Sequence, residues 1–433
     1  MIRGTGAEAI ASDVEAAISA GALAPGAELP PIRELAGQLG VNANTVAAAY
    51  RLLRQRGAVE TAGRRGTRVR NRPATTPRSL RGIAVPSGAR DLSTGNPNSA
   101  LLPIAGLSTR GGPPVLYGDP PVSAELAELA RTSLSADGVP AEHIAVTAGA
   151  LDGIERVLAA HLRPGDRVAV EDPGWANLLD LLAALGFSAE PVRVDDDGPL
   201  TADVDRALRR GARALVLTTR AQNPTGAAVS SVRAKELRAL LVAHDDVLLI
   251  EDDHCAGIAG APLHSLSGTT QHWAFVRSAA KAYGPDLRLA LLAGDQRTVE
   301  RVHGRLRLGP GWISHLLQDL AVSLWSDETA TQMVHAAEVV YTRNRELLRG
   351  ALADRGVTSH GKSGLNVWIP VPDETVSITR LLSAGWAAAP GTRFRIGSQP
   401  GMRITISGLA AEDIDALAEA IAEAVLAVGR ASV

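Results

Sequence analysis

From about Asp91 onward the chain alternates stretches of helical apolar period with short, almost continuously apolar runs. ALDGIERVLAAHL precedes RVAVED, WANLLDLLAALG precedes SAEPVRV, and VDRALRRG precedes ALVLTT. VRAKELRALLVAHD then precedes VLLIEDD, and WAFVRS and LALLAG follow. Short runs without a polar face belong to strands covered by helices on both sides, so the alternation predicts crossover units and a mostly parallel sheet. Ligands of such sheets sit at the carboxyl ends of the strands. That edge is where chemistry is expected, and several reactive residues fall on it.

Only three of the 44 lysines and arginines are lysine, namely Lys235, Lys281 and Lys362. Lys235 lies on an amphipathic helix and Lys362 in the turn HGKSG, whereas Lys281, in RSAAKAYGPDLRL, directly follows a strand. Ser278 stands three positions before it and Arg288 seven after. A lysine beside a hydroxyl and an arginine suits Schiff-base formation next to a phosphate anchor. Alone, such a lysine is more often structural. Its company alters the balance. Asp252 ends the run VLLIEDD and could pair with a protonated pyridine nitrogen, or equally cap a turn. Asn223 in AQNPTG could hydrogen-bond a phenolic oxygen, in what is otherwise a good turn sequence. Trp175 in VEDPGWAN could stack on a flat heteroaromatic ring, although a lone tryptophan is usually core. In VTAGALDGIERV the small residues Ala148, Gly149 and Ala150 open a helix whose first amides and dipole can receive a phosphate.

The charge is concentrated at the other end. Eight arginines against the single acid Glu60 lie between Arg51 and Arg72, in a chain whose formal net charge is only -2. Such asymmetry points to an anionic partner for the N-terminal region. There the apolar positions Ile10, Val14, Ala17 and Ile18 predict one helix, and Ile32, Leu35, Ala36 and Leu39 a second that ends at Gly40. After VNAN, a third runs from about Thr45 to Arg56 with Val46, Tyr50 and Leu53 inward. AVETAGRRGTRVR then reads as two extended pieces around an arginine-bearing tip. Helix, tight turn, second helix and hairpin make a winged helix-turn-helix, whose later helix enters the major groove. Residues 73–90, PATTPRSLRGIAVPSGAR, lack an apolar period and read as a linker, which divides the chain into domains over 1–72 and 91–433.

Over about residues 7 to 70 the stretch GALAPGAELPPIRELAGQLGVNANTVAAAYRLLRQRGAVETAGRRGTRV resembles the GntR family of winged helix-turn-helix regulators. The resemblance implies DNA contacts from Arg33, Asn44 and Thr45 and from the wing residues Arg64 and Arg65. Ala43 stands where many members carry arginine.

The ordered set TAGAL, EDPGW, QNPTG, EDD and SAAK followed by arginine resembles fold-type I aminotransferases that use pyridoxal 5'-phosphate. That resemblance, over about 90 to 430, implies a large domain with a mostly parallel sheet and a small α+β subdomain. By position, Lys281 would form the internal aldimine and Asp252 would face the pyridinium nitrogen. Asn223 would bind the ring hydroxyl and Trp175 would stack on the ring. Ala150, Leu151, Ser278 and Arg288 would hold the phosphate. Tyr117, in VLYGDPP, would reach the phosphate of the other subunit, which implies a homodimer with sites at its interface. Arg403, in MRITISGL, would clamp the carboxylate of an amino compound. His254 stands where a tyrosine normally donates to the ring hydroxyl, and Ala280 replaces a common serine. Both departures weigh against efficient transamination.

Across essentially its whole length the chain thus resembles the MocR subfamily of GntR regulators. The expected function is transcriptional regulation by a cofactor-binding domain that senses an amino acid, another amine or the cofactor itself, and an active aminotransferase is the competing reading. A single cysteine, Cys255, supplies neither an internal disulfide nor a multi-thiolate metal site, so no metal is expected. No apolar run reaches the length of a membrane span, and a cytoplasmic location is expected.

Overall fold

The computed structural model describes all residues except 1, 3, 20, 21, 25, 56, 57, 62–65, 70–83, 104–114 and 431–433. In the N-terminal unit three helices, α1 (Ala7–Ser19), α2 (Ile32–Leu39) and α3 (Ala43–Gln55), precede two short strands, β1 (Val59–Thr61) and β2 (Thr67–Val69). Apolar residues three and four apart on the helices meet in one core of Ile10, Val14, Leu35, Val46, Tyr50 and Leu53. The turn from α2 to α3 is built by capping. Gly40 closes α2 at φ +65°, a backbone conformation that glycine adopts without steric cost, and the Asn42 side chain accepts from the Asn44 amide at 2.8 Å. In the wing β1 and β2 are antiparallel, with Val59 opposite Val69. A third extended piece, Ala27–Leu29, was not expected from the sequence. It lies along β2, with Leu29 donating to the Thr67 carbonyl and Val69 to that of Ala27, both at 2.8 Å. Arg64 and Arg65 of the wing tip, and most of the expected linker, lie outside the described residues.

The strands of the second unit are β3 (Arg90–Asp91), β4 (Ile144–Thr147), β5 (Arg167–Asp172), β6 (Ser188–Asp195), β7 (Gly198–Pro199), β8 (Ala212–Thr218), β9 (Leu248–Asp253), β10 (His272–Ser278), β11 (Ala290–Gly294), β12 (Asn366–Pro370), β13 (Trp386–Ala387), β14 (Ala389–Pro390) and β15 (Gly401–Thr405). Eight of them form one sheet in the order β4-β11-β10-β9-β8-β5-β6-β7. The central β8, β9 and β10 are parallel, as the alternation of helices and apolar runs predicts. β11 runs antiparallel to both β10 and β4. Only residues 279–289 separate β10 from β11, fewer than the dozen or so that a crossover to a parallel neighbour needs. Leu215, Leu249 and Phe275 pack one face of this sheet.

The small subdomain is built on the antiparallel sheet β12-β15-β14. Helices Glu374–Ser383, Ile414–Arg430 and the end of Glu328–Asp354 cover it, burying Leu348, Val367, Ile404, Leu417 and Ile421. β3 pairs in parallel with β13, and the Leu92 amide donates to the Ala387 carbonyl at 2.9 Å. The chain that follows the expected linker therefore enters through the small subdomain.

Leu53 is fully buried in the N-terminal core. Leu53→Ala is expected to cost about 2–5 kcal/mol, read as earlier loss of helical signal in urea titrations of the full chain.

Candidate functional site

A cavity of about 620 Å³ opens at the carboxyl ends of the large sheet. Ala150 and Leu151 reach it from the start of the helix after β4, Trp175 from the loop after β5 and Asn223 from the loop after β8. His254 follows β9, Ser278 ends β10, Lys281 lies in the short helix after it, and Arg288 precedes β11. Arg403 completes the wall from β15 of the small subdomain. Residues spread over more than 250 positions are thus gathered because every strand of a parallel sheet delivers its next loop to the same edge. Asp252 lies just beneath, 3 % exposed. Tyr117 does not join this group; it is 95 % exposed, with its ring edge-on to Trp312.

Lys281 donates from Nζ to the Gly95 carbonyl at 2.5 Å. Burial lowers its pKa from the ordinary lysine value, opposed by Cys255 and reinforced by Arg403. The free amine, which is the nucleophilic form, is correspondingly easier to reach. Arg403 donates to Asn223 Oδ1 at 2.9 Å and to the Ser93 carbonyl at 2.7 Å, while its Nε has no partner and its guanidinium lies 4.9 Å from the Phe394 ring. It makes no ion pair among the described residues, and burial followed by the charge of Arg393 pushes its pKa down to about 9. Arg288 donates to the Ala148 carbonyl at 3.0 Å. A side chain at Gly149, φ +99°, would stand 3.1 Å from that guanidinium, so glycine keeps open the space in front of the helix Ala150–His161.

The acids beneath the cavity are sorted by strand parity. Asp253 points away from it and holds Arg220 at 2.8 Å and Arg277 at 2.9 Å in a buried ion-pair network. Asp252 points the other way. One of its oxygens meets His254 Nδ1 at 3.0 Å, and the other, Oδ1, is buried without a hydrogen-bond partner. Burial alone would lower the His254 pKa, but Cys255 and Asp252 outweigh it and hold it well above the ordinary value. Glu171, on β5, is 4 % exposed and accepts from the Thr218 amide and the Gln222 side chain, both at 3.2 Å. Burial raises its pKa to about 7, with Asp252 adding to the rise against those hydrogen bonds.

Sequence reasoning did not single out Ser93, Gly95, Glu171, Asp172, Arg393 or Phe394. Asp172 accepts from the Ile396 and Gly397 amides and the Ser398 hydroxyl at 2.8–2.9 Å, which pins the loop after Phe394 to the large domain. Only EDPGW carried a signal for this, as an acid before the turn that presents Trp175.

In the N-terminal unit Arg33 on α2 and Asn44 at the start of α3 are exposed, and Thr45 is half-buried. Arg51, one turn and a half further along α3, is also exposed.

The raised pKa of Glu171 sets a pH dependence. Between the ordinary value of 4.5 and about 7 the folded chain keeps a proton that the unfolded chain releases. Stability is therefore greatest below that window and falls as pH rises through it, by up to about 1.4 kcal/mol per pH unit. Glu171→Gln is expected to flatten this fall, so that urea midpoints of wild type and variant diverge between pH 5 and pH 8, the wild type losing more.

Two family models match the chain. Residues 7–69 match the bacterial regulatory proteins of the gntR family, and residues 107–421 match the aminotransferases of class I and II. The vitamin B6 salvage pathway transcriptional repressor PtsJ of Salmonella typhimurium is 41 % identical over 98 % of this chain and 99 % of its own. The pyridoxine biosynthesis transcriptional regulator PdxR of Corynebacterium glutamicum is 32 % identical over 58 % of this chain and 57 % of its own. Among solved structures, the alpha-aminoadipate aminotransferase LysN of Thermus thermophilus, complexed with N-(5'-phosphopyridoxyl)-L-leucine, superposes with a TM-score of 0.69 at 20 % identity, covering 83 % of this chain and 97 % of its own. With a winged helix-turn-helix before an aminotransferase fold of this kind, the chain belongs to the MocR-type regulators of the GntR family.

Proposed function

We propose that this transcriptional regulator holds pyridoxal 5'-phosphate in the cavity and senses an amino compound, or the cofactor itself, there. The observation that carries the reading is the convergence of Lys281, Arg288 and Arg403 above the buried, unpartnered Asp252 Oδ1. That orphaned oxygen suits a protonated ring nitrogen, because a buried acceptor left without a donor costs about 1–3 kcal/mol. Ser278, Arg288 and the amides of Ala150 and Leu151 would hold the phosphate, Trp175 the ring face and Asn223 the ring hydroxyl. His254 would offer its imidazole to that hydroxyl while its Nδ1 stays on Asp252. Bound there, the cofactor supplies an electrophilic carbon within reach of an amine.

Arg403 would take the carboxylate of the amino compound, releasing donors now given to Asn223 and to the Ser93 carbonyl. Ser93 lies two residues beyond β3, and the expected linker runs into β3 at Arg90. A ligand on Arg403 therefore acts on the chain segment that leads to the DNA-binding domain. In that domain the start of α3 would read bases, while Arg33, Arg64 and Arg65 neutralise phosphates. Tyr117, bare of neighbours over nearly all its surface, suits a homodimer in which it reaches the partner's phosphate.

Lys281→Ala is expected to remove the visible absorbance of lysine-bound cofactor after loading and desalting; a surviving band would refute the lysine's role. Arg33→Ala is expected to weaken binding to DNA from the protein's own upstream region and to reduce the salt slope by about one for each phosphate no longer neutralised, as gel shifts across a salt series would read.

A further inference from the structure

Asn223 stands in a largely buried loop whose neighbours are fixed on both sides. Gln222, before it, donates to the Pro173 carbonyl at 2.8 Å, and its side-chain oxygen accepts from the Thr225 amide at 2.9 Å. Asn223 Oδ1 is taken by Arg403, so what this residue can offer the cavity is the N–H of its side-chain amide.

The residue that opens the loop is strained. Ala221 is buried and has φ +56°, a left-handed conformation that a Cβ makes costly and that glycine adopts freely. Among the described residues only Arg288, which lines the same cavity, is another non-glycine with positive φ. Strain of this kind persists only where the surroundings impose it. Here the turn before β12 does so. Ser363, fully buried, accepts from the Ala221 amide at 2.8 Å through its hydroxyl and donates its own amide to the Gly226 carbonyl at 2.9 Å. One residue thus grips both ends of the loop. The two segments meet backbone to backbone, since a side chain at Gly226 would stand 2.9 Å from Gly361 Cα and one at Gly364 would meet Ala221. The buried Arg345, on the helix Glu328–Asp354, donates to the Gly364 carbonyl at 2.6 Å and holds the turn from behind. Ser363 itself does not line the cavity.

We infer that Ser363 is a positioning residue for Asn223: by holding the Ala221 amide, its hydroxyl keeps Ala221 left-handed and the Asn223 side chain turned to the cavity. The inference rests on the proposal that the cavity takes pyridoxal 5'-phosphate, whose ring oxygen Asn223 would meet. Without the hydroxyl the Ala221 amide is buried and unpaired, and Ala221 gains by relaxing out of its strained conformation. Asn223 moves with it and donates less to the ring oxygen. That oxygen then keeps more negative charge and holds the proton on the lysine-bound nitrogen more firmly.

The pH at which the visible band of lysine-bound cofactor changes reads this in cofactor-loaded full-length chain. Ser363→Ala is expected to raise that midpoint by about half a pH unit or more, and Asn223→Ala to raise it at least as far. Because Ser363 acts through Asn223, Ser363→Ala added to Asn223→Ala is expected to move the midpoint no further. Ala221→Gly, which removes the strain, is expected to shrink the effect of Ser363→Ala. Ser363→Cys keeps the volume with a weaker acceptor; it is expected to give a smaller shift in the same direction, and it replaces Ser363→Ala throughout if that variant does not fold. An unmoved midpoint in Ser363→Ala overturns the inference and leaves the proposed function standing. So do additive shifts of Ser363→Ala and Asn223→Ala, and a Ser363→Ala effect that Ala221→Gly leaves intact. A midpoint indifferent to Asn223→Ala overturns it too, as does loss of cofactor uptake by folded Ser363→Ala where Asn223→Ala retains it. A wild type without the lysine-bound band after loading overturns the proposed function and the inference with it.

Discussion

A guanidinium 5 % exposed and held by neutral oxygens joins three stretches of the second unit that are far apart in the chain. Arg403 comes from the small subdomain, Asn223 from the loop after β8, and the Ser93 carbonyl from the segment that follows β3. Withdrawing such a charge from water costs several kcal/mol, and neutral acceptors recover only part of that. The face of Phe394 contributes further. The three stretches are therefore tied together through one buried charge.

The acids around the site follow from the two-residue repeat of a strand. On β9, Glu251 and Asp253 share one face and are fully committed, Glu251 to Ser265, Leu266 and Ser267, and Asp253 to two arginines. Asp252, between them, has the opposite face and keeps an oxygen free. On β5 the same repeat turns Glu171 and Asp172 to different tasks. Glu171 retains a proton more readily than an ordinary glutamate and so limits the negative charge near Asp252, while Asp172 ties down the loop that carries Phe394. Rigid strands thereby set which acid is available and which is spent.

Much of this was legible beforehand. Lys281 could be picked from three lysines because a serine and an arginine accompany it at a strand end, and Asp252, Asn223 and Trp175 because each follows an apolar run. Arg393 was not legible, since one arginine among many, in a single turn outside any periodic element, carries no mark of burial. Nor were Ser93 and Gly95, which contribute backbone carbonyls that any residue possesses. The reversed β11 was concealed because an apolar run has no direction, although the short connection before it was a usable clue.

The sequence by itself determined the two kinds of domain, the parallel core of the sheet and the edge at which chemistry collects, because periodicity and strand-end position are local properties. Only the tertiary structure decided that Arg393 and Arg403 face one cavity, that Asp252 rather than Asp253 lies beneath it, and that the chain reaches it through β3 and the small subdomain. These depend on contacts between residues hundreds of positions apart, and burial, the property that gives each charge its significance, exists only once those contacts are made.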